Sequence, residues 1–326
     1  MRDLRTTLLA FAFAATAIAQ DLSQTIVGCV DLECPAATDN VNDNCTIADT
    51  GSFSSVGLTR VPLGSGDSNG TNSATLAGIS WVKAFTVASA GDSRAFISSF
   101  YLGSPPSLQP QLNASTGGCA VFMHGASSSI TFGGELNGTS QGTCADAMGA
   151  SCVDALVSRA TTLVEGYLRN ASVGVTVENT CEKLHSDLEK SNDEACLPVS
   201  QGLWSNFTAV ALTGDGAPRP ITAQQNSSAN CWPVTPKQDD LALIRQQATP
   251  ASDLISDIEK ALWAITPIIT VFYNASSGSV ITGVDASMSC VKTMGPARAS
   301  LDTMSNGTSN DEGGAIALSS SSGWET

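Results

Sequence analysis

The chain has 326 residues, 42% of them apolar and only 14% charged, with 30 acidic against 15 basic side chains and a formal net charge of −15. That balance argues against a nucleic-acid or anionic-membrane partner, since either needs a basic surface. About 300 residues remain once an N-terminal export signal is set aside, enough for one large domain or two modest ones with real cores.

Met1-Arg2-Asp3-Leu4-Arg5 is a short basic start, an apolar stretch runs from about Leu8 to Ile18, and Ala17-Ile18-Ala19 is a small-x-small cleavage site. Residues 1–19 therefore read as a secretory signal peptide whose removal leaves Gln20 first. The apolar run is short of the roughly 20 residues that span a bilayer.

Residues 20–145 read as a β-rich region. "TIVGCV" (25–30), "VGLTRV" (56–61), "LAGISWVKAFTVA" (76–88), "RAFISSFYL" (94–102), "CAVFM" (119–123) and "SITF" (129–132) are short β-branched and aromatic runs. Gly-, Pro- and Asn-rich stretches at 62–73 and 103–118 separate them, which points to an antiparallel sandwich. Residues 146–299 read as an α/β region packed on the first, either as a second unit or as part of one domain. Its first helix covers 151–168, with apolar residues at 153, 156, 157, 160, 164, 167 and 168 and a capping box from Ser151 to Asp154. A weaker helix covers about 180–190, and "VGVTVE" (173–178) and "FTAVALT" (207–213) read as strands.

Thr235-Pro236 and Thr249-Pro250 each set an N-cap residue before proline, announcing helices at about 237–247 and 251–265. "IITVFY" (268–273) and "SVITGVDASMSCV" (279–291) form a hairpin around "NASSG". The segment 262–273 is too short to cross a membrane, contains Pro267, and reads as buried core. From about Ser300 the chain has no helical or strand period and reads as a disordered Ser/Gly-rich tail. It lacks the hydrophobic end of a lipid-anchor signal. The expected fold class is α+β: a sandwich-like first half, helices and a β-hairpin in the second, all disulfide-bonded.

Ten cysteines stand at Cys29, Cys34, Cys45, Cys119, Cys144, Cys152, Cys181, Cys196, Cys231 and Cys290. An even number in an exported chain implies disulfides, and ten allow about 945 pairings. A local pair such as Cys181 with Cys196 is one plausible member. Neither the C-x2-C spacing of zinc sites nor a redox C-x-x-C occurs, so no metal or cofactor is expected. N-x-[ST] occurs at Asn44, Asn69, Asn113, Asn137, Asn170, Asn206, Asn226, Asn274 and Asn306, nine sequons from sixteen asparagines. Chance gives roughly three or four, so a heavily glycosylated surface is expected, each occupied asparagine facing solvent.

Several motifs touch on catalysis. Gly138-Thr139-Ser140-Gln141-Gly142 fits G-x-S-x-G, a nucleophile elbow. That elbow needs a strand before, a helix after, and then Asp and His. Only His185 follows Ser140, inside a charged helix with its apolar positions elsewhere, and the overlapping sequon at Asn137 favours a sugar-bearing turn. Gly91-Asp92-Ser93 is similar to a lipolytic-esterase box, yet no histidine follows 185, so a tight turn between strands is the better account. "HGAS" (124–127) reads as a strand end rather than an oxyanion loop. "DNVNDN" (39–44) alternates oxygen ligands but lacks the Gly and terminal Glu of an EF-hand. Trp81, Trp204, Trp232, Trp263 and Trp324 are stacking candidates for sugar rings, though more often such residues are core. No residue is assigned a catalytic role.

"GCVDLECP" (28–35), the Cys45 sequon "NCT", "SWVKAF" (80–85), "YLGSPP" (101–106) and "CAVFM" together resemble a group of uncharacterised secreted cysteine-rich glycoproteins of filamentous fungi. The resemblance covers about residues 25–170 and implies the extracellular space or cell wall, with no site residue to carry over. The expectation is an exported glycoprotein acting by binding, with extracellular polysaccharide or cell wall as partner. A secreted hydrolase using paired carboxylates or Ser140, and a factor acting on a host or competitor, are the alternatives.

Overall fold

Most of the β-branched and aromatic runs of the sequence become strands, and further strands join them. They are β1 (Ile26–Val27), β2 (Cys45–Ile47), β3 (Gly51–Phe53), β4 (Ser55–Arg60), β5 (Ser80–Ala90), β6 (Ser93–Ser104), β7 (Thr116–Met123), β8 (Phe207–Ala211), β9 (Asp240–Pro250), β10 (Thr266–Asn274) and β11 (Val284–Val291). The helices are α1 (Cys144–Met148), α2 (Ala150–Arg169), α3 (Val177–Glu189) and the single turn α4 (Leu197–Ser200). The computed structural model describes residues 26–27, 45–47, 51–53, 55–63, 75–90, 93–108, 112, 115–128, 130–133, 140, 142–170, 176–190, 193–200, 206–219, 240–251 and 261–293. Residues 1–19, expected as a signal peptide, the stretch 39–44 and the segment from 300, expected as a tail, lie outside them.

Two four-stranded antiparallel sheets dominate, in the orders β4-β5-β6-β9 and β11-β10-β7-β8, beside a small sheet β1-β2-β3. The α+β class holds. The two large sheets face each other. Trp81, Phe100, Leu102, Ala242 and Ile244 from the first share one core with Ala120, Phe122, Ile268, Phe272 and Val291 from the second. The helices cover the other face of the second sheet, where Cys119, Val121, Met123, Ile269, Val271 and Met288 meet Cys152, Leu156, Ala160, Val164, Cys181, Leu184 and Leu188. Period-two alternation thus sends successive residues of β7 and β10 into different cores. Both strands are central, which is why they read as unbroken apolar runs.

Several elements depart from expectation. The stretch expected as a helix at 237–247 is instead β9 where it is described, paired to β6 with a bulge at Phe100/Tyr101. Strand β6 offers a twelve-residue edge, and its backbone hydrogen bonds outweigh the local cap signal. Thr249 and Pro250 end β9 rather than starting a helix, and Pro250 is tolerated because β9 is an edge strand. Residues 252–260 of the expected 251–265 helix lie outside the described residues. The capping box is not at Ser151. It is at Thr143, which caps α1 reciprocally with Asp146, while Gly149 at φ 84° separates α1 from α2. Thr176 caps α3, so Val177 and Glu178 are helical and not the end of a strand. Among the described residues of "SITF", 130–132, Phe132 alone forms a bridge. The expected hairpin is present, with β10 and β11 paired from Thr266↔Val291 to Tyr273↔Val284. Ala90 pairs with Ser93, leaving only Gly91 and Asp92 between β5 and β6.

Three disulfides are described: Cys119–Cys181, Cys144–Cys290 and Cys152–Cys196, with Cα–Cα distances of 5.5, 5.0 and 4.7 Å. The local pair Cys181–Cys196 does not form, because α3 turns Cys181 inward onto β7 while Cys196 reaches α2. The bonding of Cys29, Cys34, Cys45 and Cys231 lies outside the described residues.

Candidate functional site

The residue that raised the elbow question has a partner the sequence did not suggest. Nζ of Lys292 donates a hydrogen bond to Oγ of Ser140 at 2.9 Å. Three features hold this pair. Cys144, four residues after Ser140 in the sequence, is bonded to Cys290, two residues before Lys292 at the end of β11. Thr293 Oγ1 donates to the carbonyl of Leu262, tying the exit of β11 to the segment carrying Trp263. Gly57 of β4 lets the backbones meet, since a Cβ there would lie 1.7 Å from the Lys292 carbonyl oxygen. Gly57→Ala is accordingly expected to cost about 3 kcal/mol of stability through forced overpacking. A urea melt with an unchanged midpoint would contradict that close approach.

Lys292 is 5% exposed while Ser140 is half-buried. The ring centroids of Trp263 and Phe132 each lie 5.9 Å from Nζ. Burial in this setting lowers the amine from 10.5 to about 8, so a substantial neutral fraction exists at mildly alkaline pH. A neutral lysine reverses the hydrogen bond and can accept the hydroxyl proton of Ser140.

A second lysine is near enough for its charge to matter. Lys83 of β5 pairs across the sheet with Gly57 and Phe100 and is 1% exposed. Its Nζ donates to the Ala264 carbonyl at 2.6 Å and to Thr266 Oγ1 at 3.2 Å. No described carboxylate lies within ion-pair distance of it. Burial, and then the Lys292 charge, lower Lys83 to about 7. Trp81, on the same face of β5, donates from Nε1 to Thr270 Oγ1 at 2.9 Å.

The contacts described for the two histidines lie with residues other than Ser140. His124 opens a short 3₁₀ turn after β7, stacks on Phe122 at 5.7 Å, and places Nε2 3.2 Å from Thr208 Oγ1. Burial, then Arg245 and Lys83, push it down to about 4, against a raising hydrogen bond from Gln247. His185 lies on α3 and is half-buried rather than fully solvent-facing; its Nε2 is 3.5 Å from Glu189. The backbone N–H of Thr143 is taken up by the Asp146 carboxylate, to which it donates at 2.7 Å.

Trp81 and Trp263 are buried and so withdrawn from sugar stacking; Trp204, Trp232 and Trp324 lie outside the described residues. Of the nine sequon asparagines, Asn170, Asn206 and Asn274 are described, and each is exposed. Asn44, Asn69, Asn113, Asn137, Asn226 and Asn306 lie outside. Among the described residues no group of three or more His, Cys, Asp or Glu side chains is placed to hold a metal ion, and no helix is long and apolar enough to cross a membrane. No protein-family model, curated protein or solved structure matches the chain.

Proposed function

We propose that the protein is exported and works outside the cell, free or held in the cell wall, as a disulfide-locked, N-glycosylated binding protein with polysaccharide as its ligand class. The observation that carries export is the cross-linking of the core. Cys119–Cys181 joins α3 to β7, Cys152–Cys196 joins α2 to the turn before α4, and Cys144–Cys290 joins α1 to β11. Such bonds persist in oxidising compartments and are rare in a reducing cytosol. The apolar N-terminal stretch, the excess of sequons and the exposure of Asn170, Asn206 and Asn274 support the same reading. So does a surface poor in charge, for which attached sugar would supply solubility.

Expression from the full gene in a eukaryotic secretory host tests it. The expected product is in the medium, begins at Gln20, shows no free thiol by alkylation under denaturing conditions, and loses mass on endoglycosidase treatment. It is retained by at least one insoluble polysaccharide without turnover. Cytosolic retention with free thiols would overturn export. Secreted protein that passes unretained over a panel of cell-wall polysaccharides would overturn the binding role.

A further inference from the structure

We propose that Ser140 and Lys292 form a nucleophile–base pair for acyl transfer, acting on ester or amide carbonyls. This goes beyond the binding role and does not depend on where the protein works. The contact joins residues from opposite halves of the chain, Lys292 Nζ to Ser140 Oγ at 2.9 Å, within the reach a general base needs. It is built rather than incidental. The Cys144–Cys290 bond clamps the two segments that carry it, Gly57 admits the Lys292 backbone, and Thr293 pins the same backbone to Leu262. Trp263 and Phe132 line the amine and limit its hydration, while Ser140 keeps enough exposure to meet a substrate. Serine–lysine pairs need neither a histidine nor a carboxylate.

The step balances without any further reagent. Neutral Nζ of Lys292 takes the Ser140 hydroxyl proton as Oγ bonds to the carbonyl carbon. The tetrahedral adduct collapses with cleavage of the bond to the alcohol or amine, which leaves with the proton from Lys292. Water then attacks the acyl-serine, Lys292 takes its proton, and Oγ recovers that proton as the acid is released. One water is consumed and the protein is regenerated.

A fluorophosphonate probe, which traps activated serines, tests the pair on the full disulfide-bonded protein, with the labelled residue mapped by mass spectrometry. Labelling is expected at Ser140, lost in Ser140→Ala, and lowered at least ~100-fold in Lys292→Arg. Arginine keeps the positive charge and hydrogen-bond donors but does not give up its proton, so it separates a base from a structural prop. Labelling of Lys292→Arg at the wild-type rate would overturn the proposal. The wild-type rate is also expected to rise with pH around a midpoint near 8. That profile decides the matter should Lys292→Arg fail to fold: a rate flat between pH 6 and 10, or no label on folded wild-type protein, overturns it.

Discussion

Replacing Cys144 and Cys290 together by alanine is expected to lower the unfolding free energy by about 4–5 kcal/mol. The bond closes a sequence separation of 146 residues, the longest of the three described, so the unfolded chain regains the most freedom when it is removed. Both sulfurs also belong to the core between the helices and the second sheet, so their loss removes packing as well as a tether. Domains of ordinary stability have about 5–15 kcal/mol in all, and the variant is expected to unfold at a much lower urea concentration. The control is Cys152→Ala with Cys196→Ala, which opens a separation of 44 residues and is expected to cost about 4 kcal/mol. The two variants should differ at the site. Only the first frees the segments bearing Ser140 and Lys292, so only the first should abolish fluorophosphonate labelling under conditions where both remain folded. Equal labelling in the two would show that the pair is held without the bond. A urea midpoint unchanged by the first would show that its loop is constrained by other means in the unfolded chain.

The sequence revealed the sheets better than the site, for physical reasons that differ. β7 and β10 carry their own signal, because a strand buried on both faces must be apolar throughout. The long helix α2 does too, through Leu156, Ala160 and Val164 at helical spacing. β9 does not: Thr249-Pro250 is a sound local cap, and what overrides it is a pairing partner, β6, more than a hundred residues earlier. The Ser151 box failed differently. Its pattern was present, but Thr143 and Asp146 offer the same chemistry earlier and Gly149 breaks the chain between them.

The Ser140–Lys292 contact was illegible for a combinatorial reason. Each residue stands close to a cysteine, but of the nine partners that ten cysteines leave open to Cys144, only Cys290 brings them together. Lys83 left a faint trace. It lies between Trp81 and Phe85 at the period-two positions of a strand, so alternation puts it on their buried face.

That buried lysine makes stability depend on pH in a direction opposite to intuition for an acidic protein. The Lys83 amine falls from 10.5 to about 7 on folding, through burial first and the Lys292 charge second. Between those values the unfolded chain holds a proton that the folded chain does not, so stability rises with pH. The contribution is fully present above about 10.5 and is lost as pH falls to about 7, a difference on the order of 5 kcal/mol. Lys292, lowered to about 8, adds to it with the same sign. His124, lowered from 6.5 to about 4, extends the loss into acid, over the window between those two values. Tyr167 and Tyr273 act the other way. Burial raises both above 10, so the folded state holds their protons longer and stability falls as pH climbs past 10. The urea midpoint is therefore expected to increase from pH 7 to a maximum at about pH 10, where the tyrosines begin to oppose the lysines. Lys83→Met removes the largest rising contribution while leaving the Ala264 carbonyl and Thr266 hydroxyl short of a donor. Its midpoint at any one pH can thus move either way, but its slope between pH 7 and 9 must flatten to the part Lys292 supplies. A wild-type midpoint level across that range, or a slope unaltered in Lys83→Met, would mean that the amine keeps its proton in the folded protein. The interior would then have to solvate an ammonium that, among the described residues, meets one carbonyl, one hydroxyl and the Phe100 ring.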